Sequence, residues 1–345
     1  MQISGKREMK RLFAGALACA TLAAGCGTED AAPDAPNVER SPQSVLERTR
    51  EALPEGYVET PIGRYHASCV HEVPEGGEVD LDGTIRVGSQ VVRAPARCAF
   101  KSFRNRPDAA RSVSEGVARL TSPLLLHDWV SYVEAPANNL GVFPIRFNGI
   151  ESTLTVPQTP TVQVFQLLYL FVSLTPADGQ AILQPVFRYS SADGPPKWTV
   201  AGWYYDRNDN GFHSPYVNVS PGEAIKGTIR DVRNSCVGTN CSWDVKLYRG
   251  NSAITSLRVS SNEAYAMAQK AVLEVQDVTT CRQLPSTNAL FLSTKVYAPY
   301  DPSNVDARVD VTSSLNWKTH LNYTDCGLNA VVPNPQTAVL TWRAN

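Results

Sequence analysis

Gln184 and Glu274 each lie on the polar side of a segment whose other side is apolar. In segment 180–189 the odd-numbered positions are all apolar or aromatic: Ala181, Leu183, Pro185, Phe187 and Tyr189. Segment 270–278 repeats the pattern with Ala271, Leu273 and Val275. Because successive side chains of a strand point to opposite faces, Gln184 and Glu274 are expected to project away from the core, onto open faces of their strands. A carboxyl group exchanges protons and a primary amide donates N–H bonds, so the pair could act on one substrate if the two strands share a curved sheet.

An aromatic segment lies between these two strands and contains Trp198, Trp203, Tyr204 and Tyr205. One alternate set of these rings is expected to line the same cleft. The competing interpretation is a half-exposed antiparallel sheet, whose solvated face carries polar residues without any function.

The elements that must position these residues are predicted to be strands. After Trp129, short apolar runs bounded by Gly, Pro, Asn and Asp follow one another at 153–156, 164–174, 181–189, 198–205, 271–278 and 289–296. Such spacing, with no long amphipathic helix, predicts an all-β sandwich or jelly roll. Region 56–103 is also predicted to form strands, with a hairpin at Asp82-Gly83. Short helices are predicted at 44–53, capped by Ser44, and at 109–120.

Five ordered segments add a resemblance to a known family. They are Ser152–Pro157 (STLTVP), Gln180–Phe187 (QAILQPVF), Ala201–Tyr205 (AGWYY), Val219–Ile225 (VSPGEAI) and Ala271–Val275 (AVLEV). Together they resemble the eqolisin-type glutamic peptidases over about three-fifths of the chain, from Trp129 to Trp342. The resemblance implies a concanavalin-like sandwich of two sheets, no metal or cofactor, and a catalytic Gln and Glu that fall on Gln184 and Glu274.

The chemistry implied by the resemblance is the hydrolysis of peptide bonds in acid. Glu274 would accept a proton from the attacking water and pass it to the leaving amine. Gln184 would position that water and donate N–H bonds to the oxyanion. The chain departs from the family pattern at Leu170–Thr175, which lacks the family's Trp and Asp, and at Val275, which replaces the acidic residue after the catalytic Glu.

Six of the eight cysteines follow Cys26, and an even number in an exported protein indicates disulfides. Cys19 is predicted to leave with a signal peptide and Cys26 to carry lipid. Proximity then predicts the disulfides Cys69–Cys98, Cys236–Cys241 and Cys281–Cys326, one of fifteen possible pairings. A zinc site at Cys236 and Cys241 is disfavoured because no second ligand pair follows at a suitable spacing. Segment 206–211 resembles the start of a calcium loop, but Val217 occupies the position of the bidentate Glu, so a hairpin turn is predicted instead.

The N-terminus predicts an exported lipoprotein. Basic residues precede the short apolar run 12–22, which ends in Leu22-Ala-Ala-Gly-Cys26 and resembles a lipobox. An ordinary cleaved signal with an incidental cysteine is the alternative. Gly27 follows the cysteine where an Asp would favour inner-membrane retention, so the resemblance implies the outer membrane. The predicted organisation is a signal peptide at 1–25, a tether at 26–43, a small β-rich region at 44–125 and the sandwich at 126–345.

Three functional classes stay open. The first is a lipid-anchored acid peptidase acting on polypeptides. The second is a non-catalytic module of the same fold that binds carbohydrate or peptide, because fold alone does not select a function. The third is a structural lipoprotein. A net charge of −1 gives no basis for nucleic-acid binding.

Overall fold

The computed structural model describes residues 54–104, 124–137, 146–191, 194–233, 235–237, 239–301 and 304–344. They belong to one compact unit, Glu51–Asn345. The predicted signal peptide, the tether with Cys26, and the predicted helices at 44–53 and 109–120 lie outside these residues. Within the described ranges, no helix has the length and apolar character needed to cross a bilayer.

Strands dominate these ranges, as the short apolar runs predict. Their bounds are β1 Tyr57–Thr60, β2 Gly63–His66, β3 Val70–Glu72, β4 Gly77–Val79, β5 Ile85–Val87, β6 Gln90–Arg93, β7 Phe103–Arg104, β8 Leu126–Pro136, β9 Gly149–Thr155, β10 Leu167–Pro176, β11 Ile182–Ser190, β12 Lys197–Tyr205, β13 Gly211–His213, β14 Val217–Val219, β15 Ala224–Asp231, β16 Cys241–Arg249, β17 Ser252–Ser261, β18 Tyr265–Val278, β19 Ala289–Asp301, β20 Asn304–Asp310, β21 Lys318–Leu321, β22 Asn329–Asn334 and β23 Thr337–Thr341. Short 3₁₀ turns occur at Ala67–Cys69, Cys281–Gln283, Thr312–Ser314 and Asp325–Gly327.

Two large sheets carry most of these strands. The front sheet has the order β21-β8-β18-β10-β11-β12-β13-β3, with β14 also pairing β12. The back sheet has the order β22-β23-β19-β9-β15-β16-β17-β4-β5-β6, with β20 also pairing β19. A third, three-stranded sheet has the order β1-β2-β7. The predicted all-β sandwich is therefore confirmed.

The sandwich core lies between the front and back sheets. Every second side chain of a front-sheet strand points into this core, for example Leu168, Leu170 and Leu174 of β10. The back sheet contributes residues such as Ile229 and Trp243. The predicted core rows are confirmed, because Ala181, Leu183, Phe187 and Tyr189 of segment 180–189 and Ala271, Leu273 and Val275 of segment 270–278 all belong to this cluster.

Strands from the N-terminal region extend both sheets. β3 pairs with β13 in parallel, and β4 pairs with β17 in parallel. Val73, Val79 and Ile85 are buried in the same core cluster as the strands after Leu126. The predicted boundary at 125/126 thus marks a change of sequence pattern within one pair of sheets. The predicted Asp82-Gly83 hairpin is confirmed between β4 and β5, and Gly83 has the positive φ of 85° that such turns favour.

Close packing next to the candidate site depends on one glycine. A Cβ on Gly227 of β15 would lie 2.7 Å from Cγ of Pro185, so only a glycine lets the back sheet approach β11 at this point.

All three predicted disulfides are confirmed, joining Cys69 to Cys98, Cys236 to Cys241, and Cys281 to Cys326.

Candidate functional site

Gln184 lies in the middle of β11, an inner strand of the front sheet. It stands directly opposite Trp203 of β12. Its neighbours Ile182 and Val186 belong to a second apolar cluster, on the face of the front sheet that points away from the sandwich core. We call this face the outer face. Gln184 is fully buried, and neither the oxygen nor the nitrogen of its amide has a hydrogen-bond partner among the described residues. An unpaired amide at such depth is unusual in a folded protein.

Glu274 lies on β18 and points to the same outer face. It stands opposite Tyr169 of β10 and opposite Trp129 of β8, and it is fully buried. Alternation along β18 accounts for its direction, because its neighbours Leu273 and Val275 point into the sandwich core.

The two side chains share a sheet and a face, but they are out of register. Tyr169, the partner of Glu274, pairs with Arg188 on β11, four residues beyond Gln184. The intervening row holds Val186, Phe171 and Val272. Strand geometry puts the two α-carbons about 13 Å apart along the strands and about 10 Å across them, hence about 16 Å in total. That distance exceeds what one water molecule bridges between two side chains of this length.

Tyr169 lies between Glu274 and Arg188 in one row across the front sheet. Tyr169 stands opposite both Arg188 and Glu274, and burial raises the pKa of its hydroxyl well above 10. The Arg188 cation counteracts part of that rise, and the Glu274 carboxylate adds to it. Tyr169 is therefore a neutral proton donor beside a carboxyl group. Neither residue is among the predicted site residues, although Arg188 is the one charged position of segment 180–189.

The predicted cleft aromatics divide between the two faces. Trp203 and Tyr205 lie on the outer face, whereas Trp198 and Tyr204 lie in the sandwich core. Only one alternate set of the four candidates therefore lies on the outer face, as expected, because strand alternation sends odd and even positions of β12 to opposite sides.

The outer face is covered, which corrects the expectation of an open surface. The covering hairpin, Tyr57–His66, consists of β1 and β2 joined by the tight turn Thr60–Gly63. Ile62 and Tyr65 are buried in the same cluster as Trp203 and Tyr205. The Gln276 side-chain amide donates to the main-chain carbonyl of Thr60 at 2.9 Å. The ring of Tyr65 lies 5.0 Å from that of Tyr205.

Arg104 fastens this cover to the sandwich. β7, which contains Arg104, pairs with β2 of the covering hairpin. The guanidinium donates to the Asp209 carboxylate at 2.8 Å, to the carbonyl of Gln180 at 2.6 Å and to the carbonyl of Asp206 at 2.8 Å. Only 9% of the Arg104 side chain is exposed. One residue thus joins the end of the covering segment to two turns of the front sheet.

The turn that receives Arg104 is the predicted calcium-like segment 206–211. It connects β12 to β13 as a hairpin, so the hairpin prediction is confirmed. The Asp206 carboxylate accepts the backbone N–H groups of Asn208 and Asn210 at 2.8 and 2.9 Å. Burial raises the pKa of Asp206, and these N–H bonds oppose the rise.

Comparison with known proteins identifies similar solved structures only. No family model and no curated protein matches the chain. A crystal structure of scytalido-glutamic peptidase with a transition state analog inhibitor matches at 14% identity over 64% of this chain and 100% of that chain, with a TM-score of 0.42. SCP-B, a member of the eqolisin family in complex with the tripeptide Ala-Ile-His, matches at 15% identity over the same shares, with a TM-score of 0.40. Aspergilloglutamic peptidase from Aspergillus niger matches at 16% identity over 51% of this chain and 98% of that chain, with a TM-score of 0.31. Similarity at this level assigns no residue a role.

Proposed function

We propose that the outer face of the front sheet is a cleft for polypeptide, closed by the chain's own covering hairpin. The observation that carries this proposal is that a segment of polypeptide already occupies the cleft. The cleft already holds a peptide turn, Thr60–Gly63, and the Gln276 amide binds the main-chain carbonyl of Thr60. A contact to the main chain accepts any side chain at that position, which suits a protein that binds varied polypeptides.

Buried groups that lack hydrogen-bond partners also support a polypeptide ligand. The Gln184 amide and the indole N–H of Trp203 stand opposite each other, and both are buried without a hydrogen-bond partner among the described residues. A buried polar group left unpaired costs about 1–3 kcal/mol. The carbonyl and N–H groups of a bound peptide are the complementary partners, so such a ligand would offset this cost.

Aromatic packing favours peptide over carbohydrate. The Trp203 ring stacks on Tyr205, with centroids 5.3 Å apart and planes 9° apart, and its centroid lies 4.6 Å from that of His213. Tyr205 also contacts Tyr65. These rings are engaged with one another, whereas binding of a sugar ring requires an aromatic face that is free to stack.

We further propose that the cleft hydrolyses peptide bonds at acid pH once the hairpin moves away. Glu274 would take a proton from water while the water oxygen attacks the scissile carbonyl carbon, and would then give the proton to the leaving amine. Tyr169, neutral and adjacent, would donate to the oxyanion. Because Gln184 stands four residues out of register with Glu274, we assign it to the substrate's main chain rather than to the attacking water.

The test compares the full mature chain with variants that loosen the cover and remove the base. Arg104→Gln, Arg104→Gln with Glu274→Gln, and Arg249→Gln as a matched exposed control are incubated with unfolded fluorescent casein across acid and neutral pH. Arg104→Gln is expected to cleave faster than wild type in acid. The double variant is expected to bind casein without cleaving it, and the control is expected to match wild type.

The outcomes separate the two proposals. If the double variant cleaves as well as Arg104→Gln, or if Arg104→Gln binds casein but never cleaves it, the hydrolytic assignment of Glu274 fails while the polypeptide cleft stands. If Arg104→Gln neither binds nor cleaves casein although its hairpin is open by hydrogen exchange, the cleft proposal fails.

We infer from the sequence alone that the protein acts at the cell envelope, anchored by lipid on Cys26 and directed by Gly27 to the outer membrane. Metabolic labelling with palmitate is expected to mark the wild-type chain and not Cys26→Ser. Equal labelling of both would contradict the inference.

A further inference from the structure

A second pocket lies at the edge of the front sheet, next to the covering hairpin, whose His66 stacks on Phe100 of the pocket wall. The loop Arg93–Phe100 folds over β3 and is held there by the Cys69–Cys98 disulfide. Between loop and strand is a cavity of about 350 Å³. Its walls include His71, Arg93 and Arg97, and no Asp or Glu is among the lining residues.

His71 is the buried polar group of this pocket. It points inward from β3, is 1% exposed, and packs its ring 5.4 Å from Phe212. Neither ring nitrogen has a partner within hydrogen-bond geometry among the described residues. Burial, followed by the Arg93 cation and His213, lowers the pKa of His71 to about 4, and the nearby Asn210 side chain opposes that shift. The ring is therefore neutral near pH 6 and presents one N–H donor and one acceptor.

The two arginines give the pocket its charge. Arg93 and Arg97 are exposed, and the described residues provide no ion-pair partner for either. Most other arginines of this region are paired, for example Arg64 with Glu59 and Arg86 with Asp80. A cavity with two uncompensated guanidinium groups and a buried imidazole donor favours an anion with several oxygen acceptors.

We propose that this pocket binds a small oxyanion, a carboxylate or a phosphate, held by Arg93 and Arg97 with His71 donating an N–H bond from below. The site is separate from the Gln184–Glu274 face and does not depend on hydrolysis there. Guanidinium groups bind carboxylate and phosphate oxygens in the same two-point manner, so the geometry of the donors defines the class of ligand and the test decides between its members.

The test follows the imidazole of His71 by nitrogen-15 NMR in the full mature chain. Inorganic phosphate and acetate are titrated separately at about pH 5.5 and low ionic strength, because salt screens exposed charges. Saturable shifts of the His71 signals are expected. Arg93→Gln with Arg97→Gln is expected to weaken binding by about tenfold or more, since two charge-assisted contacts are lost. Arg233→Gln, an exposed arginine elsewhere, is the matched control and is expected to bind as wild type does.

Each outcome decides the proposal. Saturation by acetate and phosphate alike supports a site for carboxylates as well as phosphates, and saturation by phosphate alone restricts the site to phosphate. Absence of saturation by both anions overturns the proposal. Equal binding by the double variant, with an unfolding midpoint unchanged from wild type, also overturns it. His71→Phe provides a second check, followed through the backbone amide signals of Arg93 and Arg97 because this variant lacks the imidazole. It is expected to weaken binding while the arginines remain, and undiminished binding would show that His71 does not hold the anion.

Discussion

Removing the Arg104 side chain should open the covering hairpin before it unfolds the protein. Arg104 is 9% exposed and donates to a carboxylate and to two main-chain carbonyls that belong to the turns at Gln180 and Asp206. Arg104→Gln removes the charge and leaves these acceptors without their donor. The perturbation is local, because β7 adjoins the hairpin and not the sandwich core.

The size of the expected loss of hairpin stability follows from the burial of Arg104 and Asp209. Removing one partner of a buried ion pair costs about 3–5 kcal/mol. Asp209 is 36% exposed, so water replaces part of the lost contact. We therefore expect about 2 kcal/mol of lost stability in the hairpin, which corresponds to about 30-fold more frequent opening at 1.36 kcal/mol per tenfold.

Amide hydrogen exchange measures this opening residue by residue. In Arg104→Gln the amides of Tyr57–His66 are expected to exchange about 30-fold faster, while those of the inner strands β10 and β18 keep their rates. Arg86→Gln is the matched control, because its ion pair with Asp80 is 42% and 38% exposed and is worth about 0–1 kcal/mol. Unchanged hairpin rates, or an equal increase across the whole sandwich, would refute the idea of a separately movable cover.

Two further substitutions test the polar groups buried in the front sheet. Gln184→Met should stabilise the protein by about 1–3 kcal/mol because it removes an unpaired amide. Gln276→Met should destabilise the protein because the Thr60 carbonyl loses its donor. Urea unfolding measures both, and a change in the free energy of unfolding of the same sign in the two variants would contradict this reasoning. Lys270 is fully buried, its Nζ lies 4.4 Å from the centroid of the Trp317 ring, and burial lowers its pKa to about 8. Its pKa in the unfolded chain is about 10.4, so unfolding takes up a proton between these two values. The stability of wild type relative to Lys270→Met should therefore rise by about 2 kcal/mol as pH increases from 8 to 10. Urea unfolding of both proteins at several pH values measures this difference, and a constant or falling difference would show that the buried amine is not neutralised there.

Much of the fold follows from local sequence. The apolar rows of segments 180–189 and 270–278 fixed which side of each strand is core, since a strand has only two sides. The Asp82-Gly83 pair determined a hairpin because its backbone suits a tight turn. The disulfide pairing followed from proximity along the chain, and short loops bring neighbouring cysteines together.

Only part of the candidate site could be predicted from local sequence. Alternation placed Gln184 and Glu274 on one face, but register depends on how strands separated by about ninety residues hydrogen-bond to β10. That pairing set Glu274 in the row of Tyr169 and Arg188 and not in the row of Gln184. The same limit applied to the aromatic segment, where alternation predicted that one set lines the cleft but did not say which of Trp198 and Trp203 belongs to it.

The sequence by itself determined the strands, their apolar sides and the disulfides, because these depend on periodicity and short separations. Only the tertiary structure decided that a hairpin from the N-terminal region lies on the outer face and buries the polar side chains there. Thr60 and Gln276 meet across more than two hundred residues of chain. Nothing local to either segment encodes that contact, since it results from how two complete sheets and a third small one pack together.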